Sequence, residues 1–203
     1  MRIISGKARG TNLKTLDGLS TRPTLDRVKE PLFSIINDRI DDSIVLDLFS
    51  GSGALGLESL SRGAKKAIFC DNSKDANKII MQNIEKTRTK DKSIVYLSDF
   101  RDALHQVKDS GLKPDIVFLD PPYESNWIIE ALKLIIELKI CNDNSIIIAE
   151  TDDIDRVRSD ISRLNIEVSD IRKYGRVYLI FLKIWFKNIL TFERGKTWKY
   201  LLF

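Results

Sequence analysis

The chain has 203 residues, an ordinary globular composition and a net charge of +4, which suits one domain with a full core and a small appendage. Two distant cysteines, Cys70 and Cys141, and a single histidine, His105, argue against a disulfide framework and against a zinc site. The N-terminus carries no secretory signal pattern, and the longest apolar-rich run, residues 177–190, is broken by Lys183 and Lys187 and is too short to span a bilayer.

Charge is unevenly spread. Residues 1–40 and 183–203 each carry a net +4, whereas residues 41–182 carry −4. A mildly acidic body with basic ends suits a polyanion met at the ends; solvated surface charge is the plainer reading. Residues 2–16, RIISGKARGTNLKTL, hold two apolar patches separated by Gly6 and Gly10 and predict a β-hairpin or two short strands. Arg2, Lys7, Arg9 and Lys14 project from this arm without nearby acids, as a phosphate-tracking surface would, or as charges protecting a sheet edge. A helical pattern then runs through Val28, Leu32, Phe33 and Ile36. Thr24 is a plausible N-cap, and Pro31 should kink this helix or shift its start. Arg22, Arg27 and Lys29 extend the basic surface.

Residues 44–63, IVLDLFSGSGALGLESLSRG, read as strand, Gly-rich turn and helix. Gly51 and Gly53 let the backbone turn sharply and a ligand approach closely, and the helix that follows presents free N–H groups. With Gly56 the bare dinucleotide pattern is matched. Asp47 at the strand's end alters the reading: a carboxylate repels a pyrophosphate but suits a cationic amino-acid head group. S-adenosylmethionine, with an ammonium, a sulfonium and no phosphate, is favoured.

Residues 66–70, KAIFC, form a second strand leading into Asp71, placed to accept hydrogen bonds from ribose hydroxyls. An amphipathic helix covers residues 74–86. A third strand, residues 94–97, leads to Asp99 and Phe100, which could bind an adenine amino group and cover its ring; Asp99 could equally cap the next helix. A fourth strand, residues 115–119, runs into Asp120-Pro121-Pro122-Tyr123. A helix at 128–138, a fifth strand at 145–149, a charged helix at 152–164 and two strands at 166–172 and 176–183, joined by a tight return, complete the pattern. The alternation predicts a doubly wound α/β sheet, mostly parallel and ending in a hairpin. Residues 185–203 fit no element of this plan; a terminal helix, a partner surface and an unstructured extension all stay open.

The D-P-P-Y motif stands where ligands bind in open α/β sheets. Its prolines remove two N–H donors. The Asp120 carboxylate and the Pro121 carbonyl form an acceptor pair, and Tyr123 adds a flat face. Together they suit an exocyclic amine on a planar base. Acceptors around the amine hydrogens favour a pyramidal nitrogen with its lone pair aimed at a methyl donor, and the base must be single-stranded or flipped out. A plain strand-ending turn is the alternative.

Five pieces carry a family resemblance: residues 2–10 (RIISGKARG), 22–33 (RPTLDRVKEPLF), 45–64 (VLDLFSGSGALGLESLSRGA), 120–123 (DPPY) and 173–181 (KYGRVYLIF). The chain resembles the bacterial 16S ribosomal RNA guanine-N2 methyltransferases of the RsmD family over almost everything to about residue 183. The resemblance implies a Rossmann-like class I methyltransferase fold, with a seven-stranded sheet, an antiparallel last strand and an N-terminal hairpin. It implies S-adenosyl-L-methionine as cofactor and 16S rRNA as partner, in an assembling small ribosomal subunit. By position, Asp47, Ser50, Gly51 and Gly53 would hold the methionine end, Asp71 the ribose, and Asp99 and Phe100 the adenine. Asp120, Pro121 and Tyr123 would hold the guanine, and Arg2, Lys7, Arg9 and Arg22 would contact RNA. Pro31, the Cys70-Asp71 pair and the tail depart from the family pattern.

The expected organisation is an arm at 1–20, a methyltransferase domain at 21–184 and an extension at 185–203, in a cytoplasmic monomer without metal or membrane. Three rivals stand beside it: an adenine-N6 methyltransferase using the same acceptor pair, an NAD-dependent oxidoreductase suggested by Gly56, and a non-catalytic RNA-binding module on the same fold.

Overall fold

The computed structural model describes residues 1–16, 23–122, 126–164 and 166–184. Arg22, Tyr123, the end of the expected arm at 17–20 and the extension at 185–203 lie outside the described residues. Seven strands form one sheet: β1 (Ile44–Asp47), β2 (Lys66–Asp71), β3 (Ser93–Leu97), β4 (Ile116–Leu119), β5 (Ile146–Thr151), β6 (Ile166–Tyr174) and β7 (Val177–Ile184). Their order is β3-β2-β1-β4-β5-β7-β6. β7 alone runs antiparallel, between β5 and β6, so the expected class I α/β topology is the one found. The chain leaves β1 toward β2 and β3, then returns to place β4 on the other side of β1. That reversal opens a crevice at the carboxyl ends of β1 and β4.

Period-2 alternation divides the strands between two cores. Leu46, Ile68, Val117 and Ile147 pack under α4 (Phe100–Asp109), α5 (Trp127–Leu138) and α6 (Ile154–Ile161). Val45, Phe69, Phe118 and Ile148 pack under α1 (Pro23–Ile35), α2 (Ala54–Ser61) and α3 (Lys74–Thr87). Both faces of β1 and β4 are therefore apolar, which explains their unbroken hydrophobic runs. α1 starts at Pro23 rather than being capped by Thr24, because proline at the first turn has its backbone angle preset and needs no donor there. The helix continues through Pro31, so of the two effects expected from that proline the shifted start is absent. Cys70 and Cys141 are free and buried. No helix among the described residues is long and apolar enough to cross a membrane.

The N-terminal arm is a loop closed by one antiparallel bridge, Arg2 to Asn12, rather than by paired strands. Ile3 and Leu13 anchor it in the core under α1 to α3. Its backbone is held by side chains from three helices: α2, α3 and, through Lys29, α1. Glu58 of α2 accepts from the Ile4 and Ser5 amides at 2.8 and 3.0 Å. The Ser61 hydroxyl accepts from the Ala8 amide at 2.9 Å and donates to the Ser5 carbonyl at 2.5 Å. Asn83 of α3 accepts from the Lys14 amide at 2.8 Å and donates to its carbonyl at 3.0 Å.

One expected surface cation is a core residue. Lys29 is 1% exposed and donates to the Arg2 carbonyl at 2.5 Å and to Glu58 at 3.2 Å. Its charge is neutralised inside the fold and adds nothing to a basic surface.

Gly6 has φ +81°, and a Cβ there would lie 1.8 Å from the Ser61 carbonyl oxygen. Gly10 has φ +85° but open space around it. Gly6→Ala is expected to cost roughly 3 kcal/mol or more in urea denaturation, and Gly10→Ala only about 1–2 kcal/mol, the penalty of the backbone angle alone.

Candidate active site

A cavity of about 480 Å³ opens at the carboxyl ends of β1, β2, β4 and β5, and the N-terminal arm supplies part of its wall. Asp47, Ser50, Gly51, Asp71, Asp99, Phe100, Asp120 and Pro121 all border it. Residues separated by more than seventy positions thus meet where the sheet topology reverses. Gly53 stands behind the wall. It caps α2 with φ +77° and its amide donates to the Ser50 carbonyl at 2.7 Å. Arg2, Lys7 and Arg9 are exposed on the arm and are not among the residues that line the cavity.

Asp47 ends β1 and is 3% exposed. One carboxylate oxygen accepts from the Gly56 amide at 3.0 Å. Burial raises the Asp47 pKa from 3.8 to about 7; the Gly56 hydrogen bond opposes the shift and the nearby Asp71 charge adds to it. No cation among the described residues counters it. A buried carboxyl in this state is stabilised by any cation that enters. The Gly56 amide that would face a pyrophosphate is already engaged by this carboxylate. A Cβ at Gly56 would lie 2.3 Å from the Phe69 ring, so the third glycine serves close helix–strand packing. Only the first of these facts tells against the dinucleotide reading; close helix–strand packing is what the third glycine of that pattern does as well.

The loop between β1 and α2 is braced internally. The Ser50 hydroxyl donates to the Asp47 carbonyl at 2.6 Å and accepts from the Cys70 amide at 2.9 Å, tying β1 to β2. Gly51 has φ +53° with open space where a Cβ would stand. Asp71 accepts from the Gly51 amide with one oxygen and from the Ser73 amide with the other, each at 2.9 Å. A carboxylate offers about four acceptor sites, so Asp71 shapes the loop and retains capacity for ligand hydroxyls. Asp99 caps α4 by accepting from the Arg101 amide at 2.9 Å while also lining the cavity, so the cap does not withdraw it from the site. Phe100 is buried beside Phe49 and Trp127, with ring centroids at 5.3 and 5.7 Å. The Arg101 guanidinium lies 4.2 Å from its ring centroid. Burial, with help from Asp71, pushes the Cys70 thiol up to about 12, so it is no nucleophile.

Sequence reasoning missed several lining residues. Glu150 near the end of β5, Phe49, Trp127 and three residues of the arm, Met1, Thr15 and Leu16, all border the cavity. Glu150 gave the same signal as Asp47, Asp71 and Asp120, an acid closing an apolar strand. Phe49 sat within the Gly-rich stretch. Nothing local marked Met1 or Leu16, which reach the cavity only because Glu58, Ser61 and Asn83 fold the arm back.

The family model described as "Conserved hypothetical protein 95" matches residues 1–183. The chain is 40% identical over 154 residues to a putative rRNA methyltransferase, YlbH, of Bacillus subtilis, covering 75% of this chain and 83% of that one. It is 33% identical over 152 residues to ribosomal RNA small subunit methyltransferase D of Escherichia coli K12, covering 75% of each. Among solved structures, a putative methyltransferase of Escherichia coli, yhhF, superposes with a TM-score of 0.79 at 31% identity, covering 91% of this chain and 97% of that one.

Because the folded pKa of Asp47 is raised, its contribution to stability is present below the unfolded pKa and is lost as pH rises through about 7. Ligand-free Asp47→Asn is therefore expected to gain on wild type between pH 4 and pH 8, by on the order of 2–4 kcal/mol. Paired denaturant titrations across that range check it; a constant difference refutes it.

Proposed function

The chain belongs to the family described as Conserved hypothetical protein 95, that of ribosomal RNA small subunit methyltransferase D, and from that premise we propose that it methylates the exocyclic N2 of a guanine in 16S rRNA. The observation that carries the reading is that Asp120 and Asp47 border one cavity. A base gripped at one end and a cationic methyl donor held at the other would be brought face to face.

The site suits S-adenosylmethionine: its buried acidic end favours an ammonium, and its Gly51 turn leaves room for close approach. When bound, that group supplies a methyl activated by an adjacent sulfonium. In this reading Asp47, Ser50, Gly51 and Gly53 form the methionine end, Asp71 takes ribose hydroxyls, and Asp99 and Phe100 meet the adenine. Asp120 and the Pro121 carbonyl accept the two hydrogens of the guanine amine, with Tyr123 over the base. An aromatic amine is a weak nucleophile because its lone pair is delocalised into the ring. Two acceptors favour a pyramidal nitrogen whose lone pair is withdrawn from conjugation and aimed at the methyl donor, and positioning of this kind is worth about 7–11 kcal/mol at best. As the nitrogen gains its methyl, it releases a proton to Asp120 or to water.

Arg2, Lys7, Arg9 and Arg22 would track the RNA backbone beside the site. The arm at 1–20 and the domain at 21–184 would act as one unit on an assembling small subunit, as a monomer in the cytoplasm. Transfer to adenine N6 would use the same acceptor pair, so the base must be read directly.

Methyl transfer from labelled S-adenosylmethionine into small subunits from a strain lacking this protein is expected to yield N2-methylguanosine on nucleoside analysis. N6-methyladenosine would overturn the choice of base. Asp120→Ala is expected to keep cofactor affinity within about twofold and to lose transfer ~100-fold or more. Retained turnover would remove Asp120 from the chemistry and pass its role to another residue, whereas no transfer by wild type would leave the RNA-binding module as the better reading.

A further inference from the structure

The acid at the end of β5 has no role in the reading above. Glu150 is 8% exposed and borders the cavity together with Asp120 and Pro121. Its placement follows from strand register. Leu119 of β4 pairs with Ala149 of β5, so Asp120 and Glu150 each follow one residue later, on strands about 4.8 Å apart. Alternation sets the face. Ile146 and Ile148 pack in the core under α1 to α3, while Ile147 and Ala149 pack in the other. Glu150 therefore shares the face of Ile148, the face on which Val45 and Phe118 also lie.

Two neighbouring carboxylates at a base-binding cavity discriminate between purines. The Watson–Crick edge of guanine presents adjacent donors, N1–H and the N2 amine. Adenine presents an amine donor next to the N1 lone pair. A second carboxylate beside the amine-binding one finds a donor on guanine and a repelling lone pair on adenine. We propose that Glu150 is a specificity-determining residue: its carboxylate accepts the N1–H of the target guanine while Asp120 holds the N2 amine. A carboxylate accepts several hydrogen bonds at once, so this contact is compatible with bonds that Glu150 makes within the protein. The assignment rests on the guanine-N2 reading above and adds the residue that selects the base.

2-Aminopurine tests it, because that base keeps the N2 amine but has a bare N1. Small subunits are reconstituted with guanine or 2-aminopurine at the methylated position and assayed for transfer from labelled S-adenosylmethionine. Wild type is expected to favour guanine about 10- to 100-fold in kcat/KM, the effect of one hydrogen bond to a charged group. Glu150→Gln is expected to lose a comparable factor on guanine, to keep cofactor affinity within about twofold, and to compress the ratio between the two bases at least tenfold. Should that variant fail to fold, the ratio is read for Glu150→Asp, whose shorter reach is expected to compress it as well.

Wild type using both bases equally overturns the inference without any variant. So does a variant that loses activity with its base ratio unchanged, which is the signature of a structural role. Absence of methyl transfer to any guanine instead defeats the underlying reading, and is seen in the wild-type assay alone.

Discussion

Glu58 is the fixed point from which the cavity wall is built. It is wholly buried and receives four donors: the Ile4 and Ser5 amides, Lys29 and Arg62. A lone carboxylate in that position would be untenable, and even a paired one loses much of its Coulombic gain to desolvation. Two cations and two oriented amides offset that cost. The arrangement gains specificity of place more than stability. It locks the arm, α1 and α2 into one register, and hydrophobic side chains of similar volume could not do this directionally. Met1, Thr15 and Leu16 reach the cavity as a consequence.

Electrostatics divide the described residues into an acidic cavity and a basic arm. The cavity collects five acids at or next to the ends of parallel strands: Asp47, Asp71, Asp99, Asp120 and Glu150. Asp71 is partly committed to holding the loop at Gly51 and Ser73. Asp47 carries a raised pKa because it is buried, with no cation among the described residues to counter the desolvation. Such a pocket is poor ground for phosphates. The exposed cations Arg2, Lys7 and Arg9 stand instead on the arm. A cationic small molecule and a polyanion can thus be bound close together without competing for the same charges.

Much of this was legible in the sequence, and the exceptions share a cause. The strands and helices follow from period-2 and period-3.6 patterns dense enough to survive tertiary context. The Gly-rich loop and the D-P-P-Y turn are local signals, and both fall on the cavity as far as the described residues reach. Long-range partners are what a linear reading lacks. Lys29 looked like surface charge because its partner, Glu58, lies twenty-nine residues away. Thr24 looked like a cap because the preference of Pro23 for a helix's first turn was overlooked. Gly56 satisfies a dinucleotide pattern, and packs on the Phe69 ring as that pattern requires, yet its amide is taken by the Asp47 carboxylate. Ser50 borders the cavity as expected, and what the sequence did not show is that its hydroxyl also spans two strands.

Asn83 adds the link that makes the arrangement stiff. Fully buried on α3, it holds both backbone groups of Lys14 and donates to the Ser52 carbonyl at 2.9 Å. Ser52 belongs to the Gly-rich loop, so one amide side chain joins the arm directly to the loop that walls the cavity. Glu58 and Ser61 grip the arm's other end from α2, which begins where that loop stops. The arm is therefore bound at both ends to the elements on either side of the loop. Arg2, Lys7 and Arg9 thus stand in fixed register with the cavity, because displacing the arm would expose Glu58 and leave Asn83 unsatisfied. Such a surface is organised before its ligand arrives, and little ordering cost is left to be met on binding.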